Sequence, residues 1–443
     1  MLISAPLTTI EPLGAPLVGT MRVPGDKSIS HRSVLFAAMA EGTSHLRGVL
    51  DSADVRSSLG AVEALGAQVD LQKQPDGSLA GTVTGWGQAG PRQPEAPLDC
   101  GNSGTTTRLL MGLLAPWDVE ATLVGDDSLS RRPMGRITGP LAQMGASFSP
   151  QDRTTLPLTL RGTTGLVPLR YEMPVASAQL KTAILLAGIF ARGTTWVREP
   201  APSRDHTELL LPGFGVEVER PGDCQAQVSG PQSQHACDVD VPGDPSSAAF
   251  PACAAVLRPG SRITLENVSL NGGRIGFLKV LKAMNAQVSW EQTGTCGHEV
   301  IGRVHAAYSS DLQAATVEPC SIAGMVDEIP VLALVASHAR GVTRFCGAGE
   351  LRVKETDRFQ AVIDGLAVLG VRAWGEGDDL CIEGQPGQAP AQGLVFDSLD
   401  DHRLAMTWSL VGLTGTSPVQ VARFDAIRIS YPTFLEDIRS LAS

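Results

Sequence analysis

Small apolar helices alternate with β-rich segments along this chain. One unit recurs along the sequence. In each copy of this unit, a short polar opening precedes a helix-compatible run of small apolar residues, and a glycine or short turn leads into a segment rich in β-branched residues. An apolar run of helical length with such a start and stop is typical of a buried helix, and the branched segment is typical of a strand. The polar openings lie at residues 28–31, 102–105, 177–179, 244–247, 327–328 and 401–403. The pattern therefore predicts six α/β repeats.

A second helix is predicted in each repeat, ending just before a short strand. Helices often end at a residue in the left-handed conformation, which glycine adopts most easily and asparagine also tolerates. The sixth copy is truncated at residues 434–441. The predicted helix ends of the other five copies are Gly66, Gly145, Gly215, Asn285 and Gly370.

The tetrapeptide Val-Pro-Gly-Asp occurs twice, half a chain apart, at residues 23–26 and 241–244. Each copy opens a helix of small residues, and the two copies are in phase with the repeats. We therefore predict two similar domains of three repeats each. The first domain is placed at residues 23–240, and the second combines residues 1–22 with residues 241–443.

The composition is that of an ordinary soluble globular protein. The chain has 443 residues, of which 43% are apolar and 18% charged, so two or three domains are expected. The net charge of -11 argues against a broad nucleic-acid or membrane surface but leaves room for a local basic pocket. No apolar run reaches about 18 residues without charged or turn residues, and no basic region followed by an apolar core opens the chain. We expect a monomer without nucleic-acid or membrane partners.

The eight cysteines are scattered, with no C-x-x-C pair and no C-x-x-H. Metal clusters and disulfide frameworks have characteristic spacings, so we predict neither. This usage fits a reducing cytoplasm. No metal or other cofactor is expected.

Basic residues concentrate at the predicted helix openings or in the turns just before them. A helix N-terminus carries positive partial charge, so a cation there is unfavourable by up to about 1 kcal/mol unless an anion lies in front of it. If the repeats stack, several such starts would point at one place, which suits a small polyanion. The alternative is a set of solvated charges on capped surface helices. The residues concerned are Lys27, Arg32, Arg108, Arg132, Lys181, Arg204, Lys354, Arg358 and Arg403.

Residues 351–358 (LRVKETDR) form the second informative stretch. As a helix, they would stack Lys354 and Arg358 at i,i+4, where like charges repel until a phosphate or carboxylate binds. Glu355 lies beside them, placed for proton transfer or for simple charge pairing. His402, in the Asp-His-Arg of residues 401–403, has the alternative of a structural, hydrogen-bonded imidazole.

Two nucleotide-binding motifs are excluded. Residues 25–28 (GDKS) lack the G-x-x-x-x-G-K-[ST] spacing of a phosphate-binding loop, and residues 101–104 (GNSG) fit no dinucleotide fingerprint. We expect instead that backbone N–H groups of the GNSG segment approach an anion at a helix start.

Seven segments together resemble the 5-enolpyruvylshikimate-3-phosphate (EPSP) synthases, over nearly the whole chain and in the same order. They are PGDKSISHR at 24–32, DCGNSGTTTR at 99–108, RRP at 131–133, SAQ at 177–179, SRDH at 203–206, RVKETDR at 352–358 and DHR at 401–403. The resemblance implies a two-domain inside-out α/β barrel with a cleft between the domains. Each domain would have three βαβαββ repeats, with helices inside and sheets outside. The implied reaction transfers the enolpyruvyl group of phosphoenolpyruvate to the 5-hydroxyl of shikimate 3-phosphate, through a tetrahedral intermediate, and releases phosphate.

The resemblance also implies roles for the matched residues. Asp327 would be the base at the 5-hydroxyl and Glu355 the proton donor and acceptor at the methylene carbon, with Lys27 as a third catalytic candidate. Phosphoenolpyruvate would be held by Lys27, Asn102, Gly104, Arg132, Gln179, Arg358 and Arg403. Shikimate 3-phosphate would be held by Lys27, Ser28, Arg32, Ser177, Gln179, Ser203, Asp327 and Lys354.

Some positions depart from the family pattern or lie beside its motifs. Arg428 is one place away from a lysine that many members carry, so its contribution is only a suggestion. Gly104 leaves room for a phosphate, and the resemblance predicts competition by glyphosate, which Gly104→Ala should weaken. The positions placed in supporting roles are Ala178, Arg204, Glu350 and His402.

Two other functions remain open at this point. The related UDP-N-acetylglucosamine enolpyruvyl transferases share the fold, but no Lys-Asn opening motif occurs here, and residues 27–28 and 352–358 suit shikimate 3-phosphate. The other is a non-catalytic, repeat-built anion-binding protein. Such a protein would not need Asp327 and Glu355 as well as the cations.

Overall fold

The computed structural model describes residues 5–387 and 391–442, whose strands are short and form six small sheets. The strands are β1 (Leu7–Ile10), β2 (Val18–Arg22), β3 (Thr43–Val49), β4 (Gln68–Lys73), β5 (Leu79–Thr84), β6 (Leu98–Asp99), β7 (Glu120–Val124), β8 (Ser147–Ser149), β9 (Leu158–Arg161), β10 (Arg170–Glu172), β11 (Gly193–Arg198), β12 (Gln225–Gly230), β13 (Val239–Asp240), β14 (Arg262–Ser269), β15 (Gln287–Cys296), β16 (Glu299–Ala307), β17 (Thr316–Val317), β18 (Gly341–Phe345), β19 (Arg372–Glu376), β20 (Asp379–Gly384), β21 (Val395–Asp397) and β22 (Val419–Ala422). The α-helices are α1 (Lys27–Met39), α2 (Ala53–Ala64), α3 (Gly104–Leu114), α4 (Gly135–Met144), α5 (Ala178–Gly188), α6 (His206–Leu210), α7 (Pro245–Leu257), α8 (Gly276–Ala283), α9 (Pro319–Ile322), α10 (Ile329–Ala336), α11 (Arg358–Val368), α12 (His402–Thr414) and α13 (Phe434–Ser440).

The described chain divides into two compact units. The N-unit comprises Gly25–Val241 together with Thr295–Glu299. The C-unit comprises the segment up to Pro24, Pro242–Gly294 and the chain from Val300 onward. The domain boundaries inferred from the repeats stay a prediction.

The N-unit has its helices inside and its sheets outside. Its sheets have the strand orders β13-β3-β5-β4, β6-β7-β9-β8 and β10-β11-β12, and each contains one parallel pair beside antiparallel pairs. Helix α1 packs on α3, and α3 packs on α5. All three helices are buried along nearly their whole length. A helix that is apolar all round must lie in the interior, whereas strands such as β3 alternate buried and exposed residues because one face meets water.

The C-unit repeats this plan. Its sheets have the strand orders β15-β16-β14-β2, β17-β18-β20-β19 and β1-β22-β21, again with one parallel pair each. Helices α7, α10 and α12 pack on one another and are buried. Six sheets and six inner helices are the six α/β repeats that the hydrophobic pattern predicted.

The helix starts and ends follow the side chains expected there. Each capping side chain accepts a hydrogen bond from a first-turn N–H, an interaction typically worth about 1 kcal/mol. The caps of five inner helices are Asp26, Ser103, Ser177, Asp244 and Asp401. The predicted ends of the second helices all have left-handed φ values between 62° and 116°, at Gly66, Gly145, Gly215, Asn285 and Gly370.

Both Val-Pro-Gly-Asp turns require glycine at the third position, but the residue that follows the aspartate is charged in only one of them. A Cβ at Gly25 would lie 2.0 Å from the carbonyl oxygen of Gly48, and one at Gly243 would lie 2.9 Å from a side-chain methyl. Neither position has room for a side chain. The residue after the aspartate differs, since Lys27 begins α1 and Pro245 begins α7.

Residues 351–358 do not form a continuous helix, which was the condition for stacking Lys354 on Arg358. A 3-10 helix, Ala348–Val353, is followed by an extended Lys354, and α11 begins only at Arg358. Asp357 sets this start because its side chain accepts a hydrogen bond from the N–H of Gln360 at 3.0 Å. Lys354 and Arg358 are therefore not stacked on one helix face.

Candidate active site

Four predicted phosphoenolpyruvate ligands lie together at the starts of α3 and α5 in the N-unit. Arg132 Nη2 donates to Asn102 Oδ1 at 2.8 Å, and Arg108 Nη1 donates to Gln179 Oε1 at 2.8 Å. Gly104 lies against both guanidinium groups, since a Cβ there would be 2.6 Å from Arg108 Nη1 and 3.3 Å from Arg132 Nη1. Two guanidinium groups beside a helix N-terminus make a site that suits a carboxylate or phosphate.

Lys27 begins α1 and forms an ion pair within the same unit. Its Nζ lies 2.5 Å from Asp54 Oδ2, and both side chains are largely buried. A substrate anion at Lys27 would therefore share the ammonium group with an internal carboxylate.

A buried chain of hydrogen bonds links α1 to the cap of α3. His31 Nδ1 lies 2.8 Å from Ser58 Oγ, which lies 2.8 Å from Thr106 Oγ1, and that hydroxyl donates to Ser103 Oγ at 2.7 Å. Burial and two neighbouring cations hold the pKa of His31 well below its ordinary value, so the imidazole is neutral at pH 7. These hydrogen bonds stabilise the start of α3, which carries Gly104.

Arg32 lies inside the N-unit and is 2% exposed. Its Nε donates to Thr207 Oγ1 at 2.8 Å, its Nη2 to Thr182 Oγ1 at 2.9 Å, and its Nη1 to the carbonyl of Ser28 at 3.0 Å. Burial lowers the pKa of Arg32 to about 10, while Glu208 acts in the opposite direction. These bonds hold α1 against α5 and α6.

Lys181, one of the cations expected near a bound anion, is instead neutralised inside the N-unit. The side chain is buried, and its Nζ lies 2.7 Å from both Glu199 Oε2 and Glu208 Oε1. Although burial acts the other way, Glu208 and Glu199 hold the pKa of Lys181 above its ordinary value. Lys181 comes one turn after the cap Ser177, in the buried part of α5.

Ser177 and Ser203, two predicted contacts of shikimate 3-phosphate, meet at Glu199. The N–H of Ser177 donates to Glu199 Oε1 at 3.2 Å, and the hydroxyl of Ser203 donates to the same oxygen. The supporting residues adjoin them, because Ala178 is the first residue of α5 and Arg204 precedes α6.

Arg358, in the C-unit, holds three carboxylates. Nε lies 2.7 Å from Asp401 Oδ2, Nη1 3.0 Å from Asp327 Oδ1 and Nη2 2.5 Å from Glu355 Oε2. Against the effect of burial, the three carboxylates hold the pKa of Arg358 above its ordinary value. Burial raises the pKa of Asp401, with Arg358 acting against it. The two predicted catalytic carboxylates, Asp327 and Glu355, thus share one guanidinium.

Arg403 follows the cap of α12 and is 5% exposed. Its N–H donates to Asp401 Oδ1 at 2.8 Å, and the neighbouring His402 is buried. Within the described residues, Nε and Nη1 of Arg403 have no hydrogen-bond partner. An unsatisfied buried donor typically costs about 1 to 3 kcal/mol, so Arg403 is placed to receive an anion.

Lys354 and Arg428 are more accessible. Lys354 Nζ lies 3.9 Å from Glu350 Oε1, a loose pair. Arg428 is three-quarters exposed, with Nη2 3.6 Å from Asp425 Oδ1. The suggested contribution of Arg428 receives no support from this geometry.

Sequence reasoning missed the groups that hold several predicted ligands in place. Asp54 carried no functional signal, because an acidic residue in the first turn of α2 is favoured in any case. Glu199 follows β11 and matched no motif. Asp401, in Asp-His-Arg, and Thr105, in residues 99–108, lie within quoted motifs. The supporting groups are Asp54 on Lys27, Glu199 on Ser177 and Ser203, Asp401 on Arg358, and Thr105 on Gln179.

No group of three or more His, Cys, Asp or Glu side chains in residues 5–387 and 391–442 is arranged to hold a metal ion. Nor is any helix in this part of the chain long and apolar enough to cross a membrane.

The fold is that of an enolpyruvyl transferase. The enolpyruvyl transferase NikO from Streptomyces tendae superposes with a TM-score of 0.78 at 19% identity, covering 99% of this chain and 97% of the other. This likeness defines the fold class.

Closer relatives give the family. The family model for EPSP synthase (3-phosphoshikimate 1-carboxyvinyltransferase) matches residues 13–438. A 3-phosphoshikimate 1-carboxyvinyltransferase from Parvibaculum lavamentivorans is 42% identical over 444 aligned positions, covering 99% of this chain and 97% of the relative. A solved EPSP synthase from Acinetobacter baumannii is 37% identical with a TM-score of 0.86, covering 99% and 98% of the two chains. The chain belongs to the EPSP synthase family, so the predicted family, fold and transferase activity are confirmed. The roles of individual residues stay predictions.

Proposed function

We propose that this protein binds phosphoenolpyruvate and shikimate 3-phosphate and transfers the enolpyruvyl group of the first to the 5-hydroxyl of the second, releasing phosphate. The supporting observation is Arg403, a buried guanidinium with two atoms that lack a hydrogen-bond partner among the described residues. A phosphoenolpyruvate carboxylate or phosphate would supply acceptors to this guanidinium, because arginine suits the recognition of these groups.

Proton transfer falls to the two carboxylates that share Arg358. In the addition step, Glu355 gives a proton to the methylene carbon, the 5-oxygen bonds to C2, and Asp327 takes the hydroxyl proton. In the elimination step, Glu355 removes a proton from the new methyl group as the bond from C2 to the phosphate oxygen breaks, and the proton held by Asp327 leaves with the phosphate. General acid–base help of this kind is typically worth about 100- to 10,000-fold.

Binding of phosphoenolpyruvate would rearrange the Arg358 cluster. The guanidinium is already surrounded by three carboxylates, so a substrate carboxylate must take the place of one of them. Glu355 and Asp327 are each about one-fifth exposed whereas Asp401 is fully buried, so one of these two carboxylates would leave. We assign the move to Glu355, because its release would make it available at the methylene carbon.

Phosphate release tests the proposal. The purified protein is incubated with phosphoenolpyruvate plus either shikimate 3-phosphate or UDP-N-acetylglucosamine. We expect phosphate only with shikimate 3-phosphate. Release with the nucleotide sugar instead, or with neither acceptor, would refute the proposal.

We also propose that the enzyme is a cytoplasmic monomer. The eight cysteines are free thiols, and this fits a reducing compartment. Light scattering coupled to size-exclusion chromatography should give a mass near 46.4 kDa, whereas a mass of twice that value would contradict the monomer.

A further inference from the structure

Glu199 is a buried carboxylate at the point where three segments of the N-unit meet. It follows β11, and one of its oxygens accepts hydrogen bonds from the N–H of Ser177 and the hydroxyl of Ser203. Its other oxygen accepts from Lys181 Nζ at 2.7 Å. The side chain is 2% exposed, so these contacts are made away from bulk water.

Glu199 is paired and hydrogen-bonded on both of its carboxylate oxygens. Lys181 lies between Glu199 and Glu208 at 2.7 Å from each, and all three side chains are at most 5% exposed. A buried carboxylate is costly unless it is paired and hydrogen-bonded. Here one ammonium and two further donors satisfy it.

Ser203 depends on Glu199 for its position. It lies in the irregular segment between β11 and α6, where no helix or strand fixes the backbone. Ser177, in contrast, caps α5 and accepts from the N–H of Leu180 at 3.4 Å. The bond from Ser203 to Glu199 ties this irregular segment to the start of α5.

We infer that Glu199, fixed by Lys181, is a positioning residue that sets Ser177 and Ser203 for the shikimate 3-phosphate site. This inference rests on the proposed function, in which the two serines contact that substrate. Glu199 acts through them and need not touch the substrate itself.

The direction in which Glu199→Gln changes the KM for shikimate 3-phosphate distinguishes positioning from a direct electrostatic effect on the substrate. Glu199→Gln removes a negative charge from the neighbourhood of a dianionic substrate, which by itself should tighten binding. Loss of the carboxylate also weakens three charge-assisted hydrogen bonds. If positioning dominates, the KM for shikimate 3-phosphate should rise about 10-fold, while the KM for phosphoenolpyruvate and kcat change less than about 2-fold.

A matched control comes from the neighbouring strand. Glu172, on β10, forms an exposed ion pair with Arg198 at 2.8 Å, and Glu172→Gln should leave all three kinetic constants unchanged. Ser203→Ala should raise the KM for shikimate 3-phosphate. In the double variant with Glu199→Gln, the rise should be smaller than the product of the two single rises, because both changes act on one contact.

Each outcome bears on a separate claim. No phosphate release by the unmodified enzyme with both substrates would refute the proposed function. An active enzyme whose Glu199→Gln variant keeps or lowers the KM for shikimate 3-phosphate, or shows multiplicative effects with Ser203→Ala, would refute this inference alone. If Glu199→Gln does not fold, Glu199→Asp, which keeps the charge but shortens the reach by one methylene, must give the same selective rise in KM.

Discussion

Replacement of Gly104 by alanine tests the proposed anion site at the start of α3. The new Cβ would lie 2.6 Å from Arg108 Nη1 and 3.3 Å from Arg132 Nη1. A comfortable carbon contact is about 3.5 Å or more, so the Arg108 guanidinium must move by about 1 Å. That atom donates to Gln179 Oε1 at 2.8 Å. The fold tolerates the change because flexible side-chain ends can move, but the anion site is distorted.

The magnitude follows from the bond at risk. A hydrogen bond that involves a charged group is typically worth about 1.5 to 3 kcal/mol, which corresponds to about a 10- to 100-fold change in affinity. We expect the inhibition constant of glyphosate to rise by that factor in Gly104→Ala. Steady-state inhibition at varied phosphoenolpyruvate measures it.

A helix glycine elsewhere in the N-unit serves as the control. Gly60, within α2, is exposed, and a Cβ there would meet no other atom within 4 Å. Gly60→Ala should leave inhibition unchanged and stabilise the protein by up to about 1 kcal/mol. Equal inhibition constants for Gly104→Ala and the unmodified enzyme would refute the reasoning.

Two further predictions concern buried and catalytic groups. His31 has a folded-state pKa below the ordinary 6.5, so its neutral form stabilises the fold above pH 6.5, and this contribution is lost as the pH falls, by up to about 1.4 kcal/mol per pH unit. In urea unfolding between pH 7 and 5.5, the unmodified protein should therefore lose more stability than His31→Gln; a parallel loss in both would contradict this. Glu355→Gln cannot transfer a proton, so kcat should fall about 100- to 10,000-fold, together with deuterium incorporation from solvent into the methylene group of phosphoenolpyruvate. A kcat within a few-fold of the unmodified value would exclude the assigned role.

Local signals in the sequence predicted the repeats and the helix ends well. Asp26, Ser103 and Asp401 are capping residues in the structure, and their action depends only on a few neighbouring residues. The break between the two helical segments at residues 351–358 is also set locally. Asp357 is an equally good cap, and it delays the start of the helix until Arg358.

The partners of the cations could not be predicted from spacing. Glu199 is 18 positions from Lys181, and Asp401 is 43 positions from Arg358. Such pairs form only when separate elements pack together, and a single sequence contains no trace of that packing. Motifs therefore identified the cations, but not which of them the protein neutralises internally.

The two Val-Pro-Gly-Asp turns show how two units built on one plan can differ in charge. Both copies retain the glycine that steric crowding demands and the aspartate that caps a helix. Only one is followed by lysine, whereas proline, which is well suited to a first helical turn, stands in the other. The turn is thus built twice and the lysine occurs at one of the two, so lysine introduced at Pro245 would add a charge without the surroundings that Lys27 has.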